Sequence, residues 1–433
     1  MTERAATAGL SAAPWTCPFC PLLCDHLGVR VLDAGRSLTL TGADCPRAQL
    51  ALAASRAEQG PASPLVDGRA CDLDTAIQAA ARLLLRSRQP LFAGLGTDVA
   101  GARALYGLAC DSGAISDAAQ GASLMHGLRA LQDRGAYTTT LAEVVTRAEL
   151  IVCIGGSPQA RLPLWFDRLG VGAGPVAQRH LVFLGGDGQQ GNDLAARPDI
   201  SVEQVALQGD LFDTVALLAA GVAGAAVPPA LAALAQRLRG CPYSVLVWEA
   251  ASLPAQGALI VETLNRIVGT LNRSTRAATL PLGGGDGAAT ANQVFAWLSG
   301  LPLRTRSGPA GLEHEPLCFD TTRLLADGAV DSLLWVSSFG TAALPPALRL
   351  PLVVLGHPVL AAPTLAAAAG GGQPVVFIPV ATPGVGSAGH LFRTDGVVLM
   401  PLHKLIDDGL PTVAAVALQL RQALAALRQG AAT

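Results

Sequence analysis

Short apolar runs alternate with amphipathic segments along most of this chain of 433 residues. Continuous apolar runs that end in glycine, such as Pro90–Gly96 and Leu150–Gly156, are typical of parallel strands buried on both faces. Between such runs, Thr75–Ser87 and Val99–Asp111 place apolar residues at helical spacing. The further predicted strands are His180–Gly185, Tyr243–Trp248, Ala278–Leu282, Ser332–Val336, Leu352–Leu355 and Val375–Pro379. The further predicted helices are Ala48–Glu58, Leu141–Ala148, Gly257–Thr270 and Thr412–Arg428.

This alternation predicts the α/β fold class, with parallel sheets and flanking helices, behind a small N-terminal region that carries cysteines. The chain is longer than one ordinary domain, so we expect several units. The predicted units are a cysteine-cluster region at residues 1–60, a first α/β domain at 61–240 and a second α/β domain at 241–433.

Composition narrows the class of protein. Hydrophobic residues make up 51% of the chain and charged residues 14%, which predicts a folded globular protein without a long disordered tail. The formal net charge of -2 argues against a nucleic acid or a membrane surface as a partner.

A mean hydropathy of +0.41 raises the question of a membrane span. The best candidate, Val215–Ala235, is broken by Pro228 and Pro229, so two buried Ala-rich helices with a turn between them are predicted instead. Residues 1–14 show no continuous apolar core of a signal peptide. We therefore expect a cytoplasmic protein without a membrane anchor.

The nine cysteines are an odd number for a disulfide framework, and in a reducing cytosol we expect thiols or metal ligands. Cys17, Cys20, Cys24 and Cys45 form a cluster with the spacing C-x2-C-x3-C-x20-C. We expect these four to ligate a [4Fe–4S] cluster. Structural zinc and vestigial thiols remain alternatives. Cys153, inside an apolar run, is predicted to be a buried inert thiol.

Several segments, in a common order along the chain, resemble the B subunit of formylmethanofuran dehydrogenase, a member of the molybdopterin oxidoreductase superfamily. These segments are Thr16–Asp25, Gly107–Asp117, Leu131–Gly135, Leu141–Pro158, Ala291–Trp297 and Gly386–Gly396. The resemblance implies a molybdopterin-oxidoreductase-like fold with an N-terminal iron–sulfur cluster. It also implies that Ala291–Trp297 is a helix beside the pterin and that Gly386–Gly396 is a pterin-contacting loop.

Two departures from the family pattern concern its redox site. Redox-active members place a cysteine or selenocysteine before a histidine as the metal ligand, whereas this chain has Met125 before His126. The catalytic arginine of the family corresponds to the glycine-rich stretch Leu282–Asp286. Without the thiolate and the arginine, carbon dioxide reduction has neither its metal ligand nor its carboxylate anchor. We therefore predict no catalytic residues in this chain and no bound molybdopterin.

Such losses resemble the form found in the bacterial formyltransferase/hydrolase complex. The resemblance implies a non-redox structural subunit in tetrahydromethanopterin- and methanofuran-linked one-carbon metabolism, in which formaldehyde is oxidised to formate. The implied partners are the amidohydrolase-like A subunit, the C subunit, the formyltransferase D subunit, and a methanofuran-like carrier. The chemistry then belongs to those other subunits.

Two other functions stay open at this point. One is an active tungsten or molybdenum subunit in which Met125 or Asp117 replaces the missing ligand. The other is a binding module that keeps a pterin dinucleotide without catalysis. Arg304, Arg306 and Arg393 are candidates for binding carrier carboxylates or pterin phosphates, and the alternative is that they are solvated or ion-paired.

Overall fold

The computed structural model describes residues 14–32, 37–55, 62–119, 121–171, 174–186, 191, 194, 197–340, 343–345, 348–369 and 372–432. The strands are β1 Pro14–Trp15, β2 Leu27–Leu32, β3 Ser37–Thr41, β4 Leu65–Val66, β5 Arg69–Ala70, β6 Pro90–Gly96, β7 Ile115–Ser116, β8 Leu150–Ile154, β9 Arg179–Leu184, β10 Ile200–Val205, β11 Tyr243–Glu249, β12 Arg276–Leu282, β13 Thr305–Gly308, β14 Gly311–His314, β15 Ser332–Ser337, β16 Leu352–Gly356, β17 Val375–Pro379, β18 Gly389–Phe392 and β19 Leu399–Leu402. The helices are α1 Pro46–Ala54, α2 Leu73–Arg86, α3 Val99–Ser112, α4 Gly121–Arg134, α5 Leu141–Arg147, α6 Trp165–Arg168, α7 Leu211–Val222, α8 Pro229–Gly240, α9 Gly257–Leu271, α10 Ala288–Ser299, α11 Thr321–Ala326, α12 Ala361–Ala369 and α13 Val413–Ala432.

The N-terminal cysteines belong to a small antiparallel unit. Strands β1, β2 and β3 pair in that order, and α1 packs against β3. The end of the helix predicted at Ala48–Glu58, like the residues tested for a signal peptide before Pro14, lies outside the described residues. The sequence pattern did not predict this antiparallel unit, because its strands are short and only half-buried.

Within the described residues, one sheet holds five parallel strands in the order β10-β9-β8-β11-β12. Strand β8 is buried along its whole length, as its continuous apolar sequence predicted. Helices α7 and α9 pack together over this sheet, and α4 packs on α9. The two helices predicted for Val215–Ala235 are confirmed as parts of α7 and α8.

The largest sheet runs β14-β13-β7-β6-β15-β16-β17-β4-β5 across the described part of the chain. Its centre, from β7 to β17, is parallel as predicted, and antiparallel pairs flank it on both sides. Helices α2, α3, α10 and α13 cover one face of its core, and α11 and α12 lie towards the other. The predicted α/β class with parallel sheets and flanking helices is confirmed.

The two large sheets are interleaved along the chain. The five-stranded sheet uses strands between residues 150 and 282, whereas the larger sheet takes strands from both sides of that segment. The predicted limits 1–60, 61–240 and 241–433 stay a prediction. No helix within the described ranges is long and apolar enough to cross a membrane.

Candidate functional site

The four clustered cysteines lie in the loop between β1 and β2 and at the start of α1. All four side chains are buried. The Cys17 N–H donates to the Cys24 carbonyl at 2.9 Å, which closes the loop, and Leu23 adopts a left-handed φ of 45° inside it. The tight loop that the spacing predicted is therefore present, with Cys20 in the same turn and Cys45 just before the helix.

The thiols influence one another's protonation. A hydrogen bond from Cys24 lowers the pKa of Cys20 to about 7 against the opposing effect of burial. That hydrogen bond, with burial second, raises the pKa of Cys24. Burial is the main cause that raises the pKa of Cys17 and of Cys45, and the nearby Cys20 raises both further. The structure thus places the four thiols in one electrostatic neighbourhood, and most of them must lose a proton before they bind a metal.

The four cysteines can be compared with the two metal groups predicted for them, a [4Fe–4S] cluster and zinc. In the described ranges, no three His, Cys, Asp or Glu side chains are arranged so that they could hold a metal ion. Zinc requires all its ligands around one ion, whereas a [4Fe–4S] cluster spreads its thiolates over separate iron atoms. Both groups take cysteine thiolates as ligands, so the iron–sulfur cluster and the zinc site stay alternatives for these four cysteines.

The glycine-rich turn that corresponds to the family's arginine contacts the cysteine loop. Arg47 connects the two, because its Nε donates to the Phe19 carbonyl at 2.5 Å and its guanidinium lies 3.5 Å from Asp286. A Cβ atom added to Gly285 would meet Pro21 at 3.4 Å, and one added to Gly287 would lie 2.4 Å from the backbone of the β6–α3 loop. Gly287 is therefore required where this turn passes the β6–α3 loop, whereas Gly285 lies at ordinary contact distance from the cysteine loop.

Met125 and His126, which the resemblance places where the family has its metal ligand, lie on α4. The Met125 side chain is buried, with 4% of its surface exposed. The His126 ring lies against the start of α9, where a Cβ atom added to Gly257 would come within 2.7 Å of it. Burial, followed by nearby arginines, lowers the pKa of His126. The His126 ring packs α4 against the start of α9.

Asp117, the nearest candidate for a replacement ligand, is buried, and its carboxylate oxygens already have hydrogen-bond partners. Its carboxylate accepts hydrogen bonds from the N–H of Ala118 and from both the N–H and the hydroxyl of Thr321, each at 2.9 Å. The Arg304 guanidinium lies 3.4 Å away. Burial raises the pKa of Asp117, and Arg304 opposes that shift. This carboxylate is an internal hydrogen-bond acceptor that joins β7 to α11.

The three candidate arginines are all ion-paired. Arg304 is 3% exposed and contacts two aspartates, Asp117 and Asp320. Arg306 donates to Glu313 at 2.8 Å. The remaining pairs are Arg306 with Gln89 and Arg393 with Asp395, the latter at 3.0 Å and 2.5 Å. Of the two alternatives for these residues, the ion-paired one is confirmed.

A cavity of about 350 Å³ lies between α4, α9, the turn after β12 and the start of α10, and we call it the α4–α10 cavity. Leu128, Trp248, Asn265, Gly284 and Asp395 are among its lining residues. Sequence reasoning did not find it, because its walls come from segments far apart in the chain. The one available signal was the pair of segments Ala291–Trp297 and Gly386–Gly396, each of which contributes lining residues. The second segment, expected to be a loop, contains β18 of a hairpin.

The remaining cysteines are also thiols: each of the nine is free, and all nine lie in the described part of the chain. Cys153 is buried in β8, and burial raises the pKa of its thiol to about 12. The prediction of a buried inert thiol at this position is confirmed.

Comparisons with known proteins give the context for this architecture. No protein-family model matches the chain. It is 36% identical over 279 residues, or 63% of this chain and 74% of the relative, to the B subunit of the formyltransferase/hydrolase complex Fhc of Methylorubrum extorquens. It is 27% identical over 429 residues, 90% of this chain and 93% of the relative, to the B subunit of tungsten-containing formylmethanofuran dehydrogenase 2 of Methanocaldococcus jannaschii.

A solved structure agrees with these sequence matches. A chain in the crystal structure of the formyltransferase/hydrolase complex from Methylorubrum extorquens, determined with methylofuran, superimposes with a TM-score of 0.71 at 30% identity. The match covers 85% of this chain and 100% of that one. Fold and cysteine loop thus define an α/β protein with an N-terminal cysteine unit. The chain belongs to the family of B subunits found in formyltransferase/hydrolase complexes and formylmethanofuran dehydrogenases.

Proposed function

We propose that this chain is the non-redox structural B subunit of a formyltransferase/hydrolase complex, in tetrahydromethanopterin- and methanofuran-linked oxidation of formaldehyde to formate. The proposal rests on the family resemblance, by which Met125, a buried side chain, stands where redox-active members have their metal ligand, and glycines 283–285 stand in place of their arginine. A neutral thioether is a weaker ligand than a thiolate, and glycine offers no charge to hold a carboxylate.

The polar groups nearby do not compensate for these losses. Asp117 receives hydrogen bonds from Ala118 and Thr321 and pairs with Arg304. Taking Asp117 as a metal ligand would leave the buried Arg304 with one fewer counter-charge, which is costly. Asp117 is therefore not a free donor for the alternative of an active tungsten or molybdenum subunit.

The proposed partners are the amidohydrolase-like A subunit, the C subunit, and the formyltransferase D subunit, with a methanofuran-like carrier bound in the assembly. An exposed apolar face supports docking to other chains. Trp297 on α10 is 56% exposed, and Val397 beside β18 is 65% exposed. Phe392 stacks edge-on against Trp297 at 5.2 Å between ring centroids, which holds the indole in place. Such a face is typical of a protein-contact surface.

We further propose that Cys17, Cys20, Cys24 and Cys45 hold a [4Fe–4S] cluster with a structural role. When bound, the cluster would crosslink the β1–β2 loop to the start of α1. The burial of all four side chains and the hydrogen bond between Cys20 and Cys24 support this proposal. A cytoplasmic location is proposed as well, and the nine free thiols support it.

The test is an assay of formate oxidation with a viologen dye under strict anoxia, using complex purified from cells supplied with tungstate and molybdate. We expect no dye reduction above that of a preparation denatured by heat, while formyl transfer and hydrolysis by the partner subunits proceed. Robust turnover that disappears in Asp117→Ala or Met125→Ala would overturn the proposal and establish a working dehydrogenase subunit.

A further inference from the structure

A second, larger cavity of about 690 Å³ lies on the face of the largest sheet that α11 and α12 flank, and we call it the α11 cavity. It is bordered by the loop between β7 and α4, by α11, by Trp335 of β15, and by residues 343–345 and 348–350 before β16. Parallel strands are usually joined by a helix that covers the sheet. The described residues that connect β15 to β16 form no helix, and the space beside Trp335 is a cavity instead.

Much of the wall of the α11 cavity is apolar and accessible. Leu325, Leu344 and Leu350 line it with side chains that are only partly buried, so an occupant can contact them. The volume lies in the range of ligand pockets, which are mostly apolar and carry a few polar groups. An occupant with an apolar body would remove these three leucines from water, which favours its binding.

Two carboxylates line the cavity, and both already have partners within the protein. Both oxygens of Asp117 accept hydrogen bonds, and the Arg304 guanidinium contacts Asp117 as well as Asp320. The other oxygen of Asp320 accepts from the backbone N–H of Arg323 at 3.0 Å. Neither carboxylate therefore has an oxygen without a donor, and neither attracts a cationic occupant as a free carboxylate would.

Arg349 is the remaining charged residue among the described residues that line the cavity. Its side chain is exposed, and within the described part of the chain it has neither an ion pair nor a hydrogen bond. Its guanidinium presents five donors in a planar fork that matches a carboxylate. A carboxylate brings one negative charge to this one free cation, whereas a phosphate group would bring more negative charge towards Asp320.

We propose that the α11 cavity binds an amphipathic carboxylate. Its apolar body packs against Leu325, Leu344 and Leu350, and its carboxylate accepts hydrogen bonds from Arg349. The site goes beyond the structural role proposed above, since a scaffold does not require a ligand of its own.

The test uses the purified complex with three probes that share one ring system and differ in charge: 2-naphthoate, 2-naphthamide and 2-naphthylmethylammonium. Titration by ligand-observed NMR should show 2-naphthoate binding about three- to fivefold more tightly than the neutral amide, with the cation weakest. Crystals soaked with 2-naphthoate should show its carboxylate beside Arg349 and its rings against the leucines. Equal affinities of the three probes, or a cavity filled by a side chain of a partner subunit in those crystals, would overturn the proposal.

Matched variants separate this site from other binding on the complex. Arg349→Gln keeps a polar side chain but removes the charge, so the affinity for 2-naphthoate should fall to that for 2-naphthamide while the amide changes less than about twofold. Arg103→Gln removes an exposed arginine on α3, over the opposite face of the same sheet, and should leave both affinities unchanged. An equal loss for both probes in Arg349→Gln, or the same loss in Arg103→Gln, would contradict the proposed contact.

Discussion

The cysteine loop and the α4 region differ in how much of a redox site they retain. At residues 17–45 the chain carries four buried thiols in one neighbourhood, with a closed loop around them. On α4, where the resemblance places the family's metal ligand, the chain carries a buried methionine, and the glycine-rich turn lies next to the cysteine loop at Pro21. One region thus holds four thiols in its interior, and the other holds a thioether.

This difference indicates which functions the two regions serve. A metal group held by the four cysteines would contribute to folding whether or not electrons pass through it. A catalytic thiolate and an arginine contribute nothing to stability once the reaction is gone, and well-packed substitutes replace them at no cost. Arg47 bridges from the cysteine loop to Asp286 in the glycine-rich turn and so joins the two regions.

The largest effect is expected from Cys24→Ala. Losing a cluster ligand removes binding energy that is also folding energy, so the stability of the N-terminal unit should fall by on the order of 5 kcal/mol or more. Cys153→Ala, which removes a buried thiol outside the cluster, should cost only about 1–2 kcal/mol. Thermal unfolding of the purified complex and its iron content measure both. Equal effects of the two substitutions, with no iron in the wild type, would mean that the clustered cysteines are vestigial.

The next largest effect is expected at the buried ion pair beside α4. Asp117→Ala removes one of the counter-charges of the buried Arg304. The substitution should destabilise the chain by about 3–5 kcal/mol. Arg306→Ala, which breaks the partly exposed pair with Glu313, is the control and should cost less than about 1 kcal/mol. Denaturant unfolding gives both values. An unchanged free energy of unfolding in Asp117→Ala would show that this carboxylate is not structural.

A smaller effect is expected from His357 after β16, whose burial lowers its pKa to about 4. The unfolded chain takes up a proton near the ordinary value of about 6.5, so this residue's contribution to stability is complete above that pH. It should be lost as the pH falls towards 4, by about 3 kcal/mol in total. Between pH 7 and pH 4, the free energy of unfolding should therefore fall less in His357→Asn than in the wild type. The exposed His403→Asn should match the wild type, and a slope unchanged in His357→Asn would refute the assignment.

The smallest effect is expected from Met125→Leu. If the thioether only fills space on α4, a side chain of similar volume should change stability by less than about 1.5 kcal/mol. Formyl transfer and hydrolysis by the complex should be unchanged. Loss of a bound tungsten or molybdenum atom in Met125→Leu would reveal a ligand where we infer packing.

Strands and helices with strong apolar periodicity could be predicted from sequence. The central strands of the two large sheets were predicted in this way. Helix α4 and the hairpins β13–β14 and β18–β19 were missed, because short half-exposed strands and a glycine-interrupted helix give weak patterns. The cysteine loop was predictable because its ligands are close in sequence. The pair of Asp117 and Arg304 was not, since 187 residues separate its members.

The α4–α10 cavity depends on tertiary contacts in the same way. Trp248, Asn265 and Asp395 lie on a strand, a helix and a loop that sequence spacing does not relate. Each residue by itself is ordinary for its position, so no local pattern singles it out. The prediction that a metal ligand is missing at Met125 could be made from sequence, because it needs only a resemblance at one position and no geometry.

The central claim is that this chain, as a B subunit, has no redox metal centre at α4. The most direct measurement is metal analysis of the complex purified anaerobically from cells supplied with both tungstate and molybdate. We predict tungsten and molybdenum at background, with iron present in proportion to the cysteine cluster. Tungsten or molybdenum near one atom per copy of this chain would contradict the account.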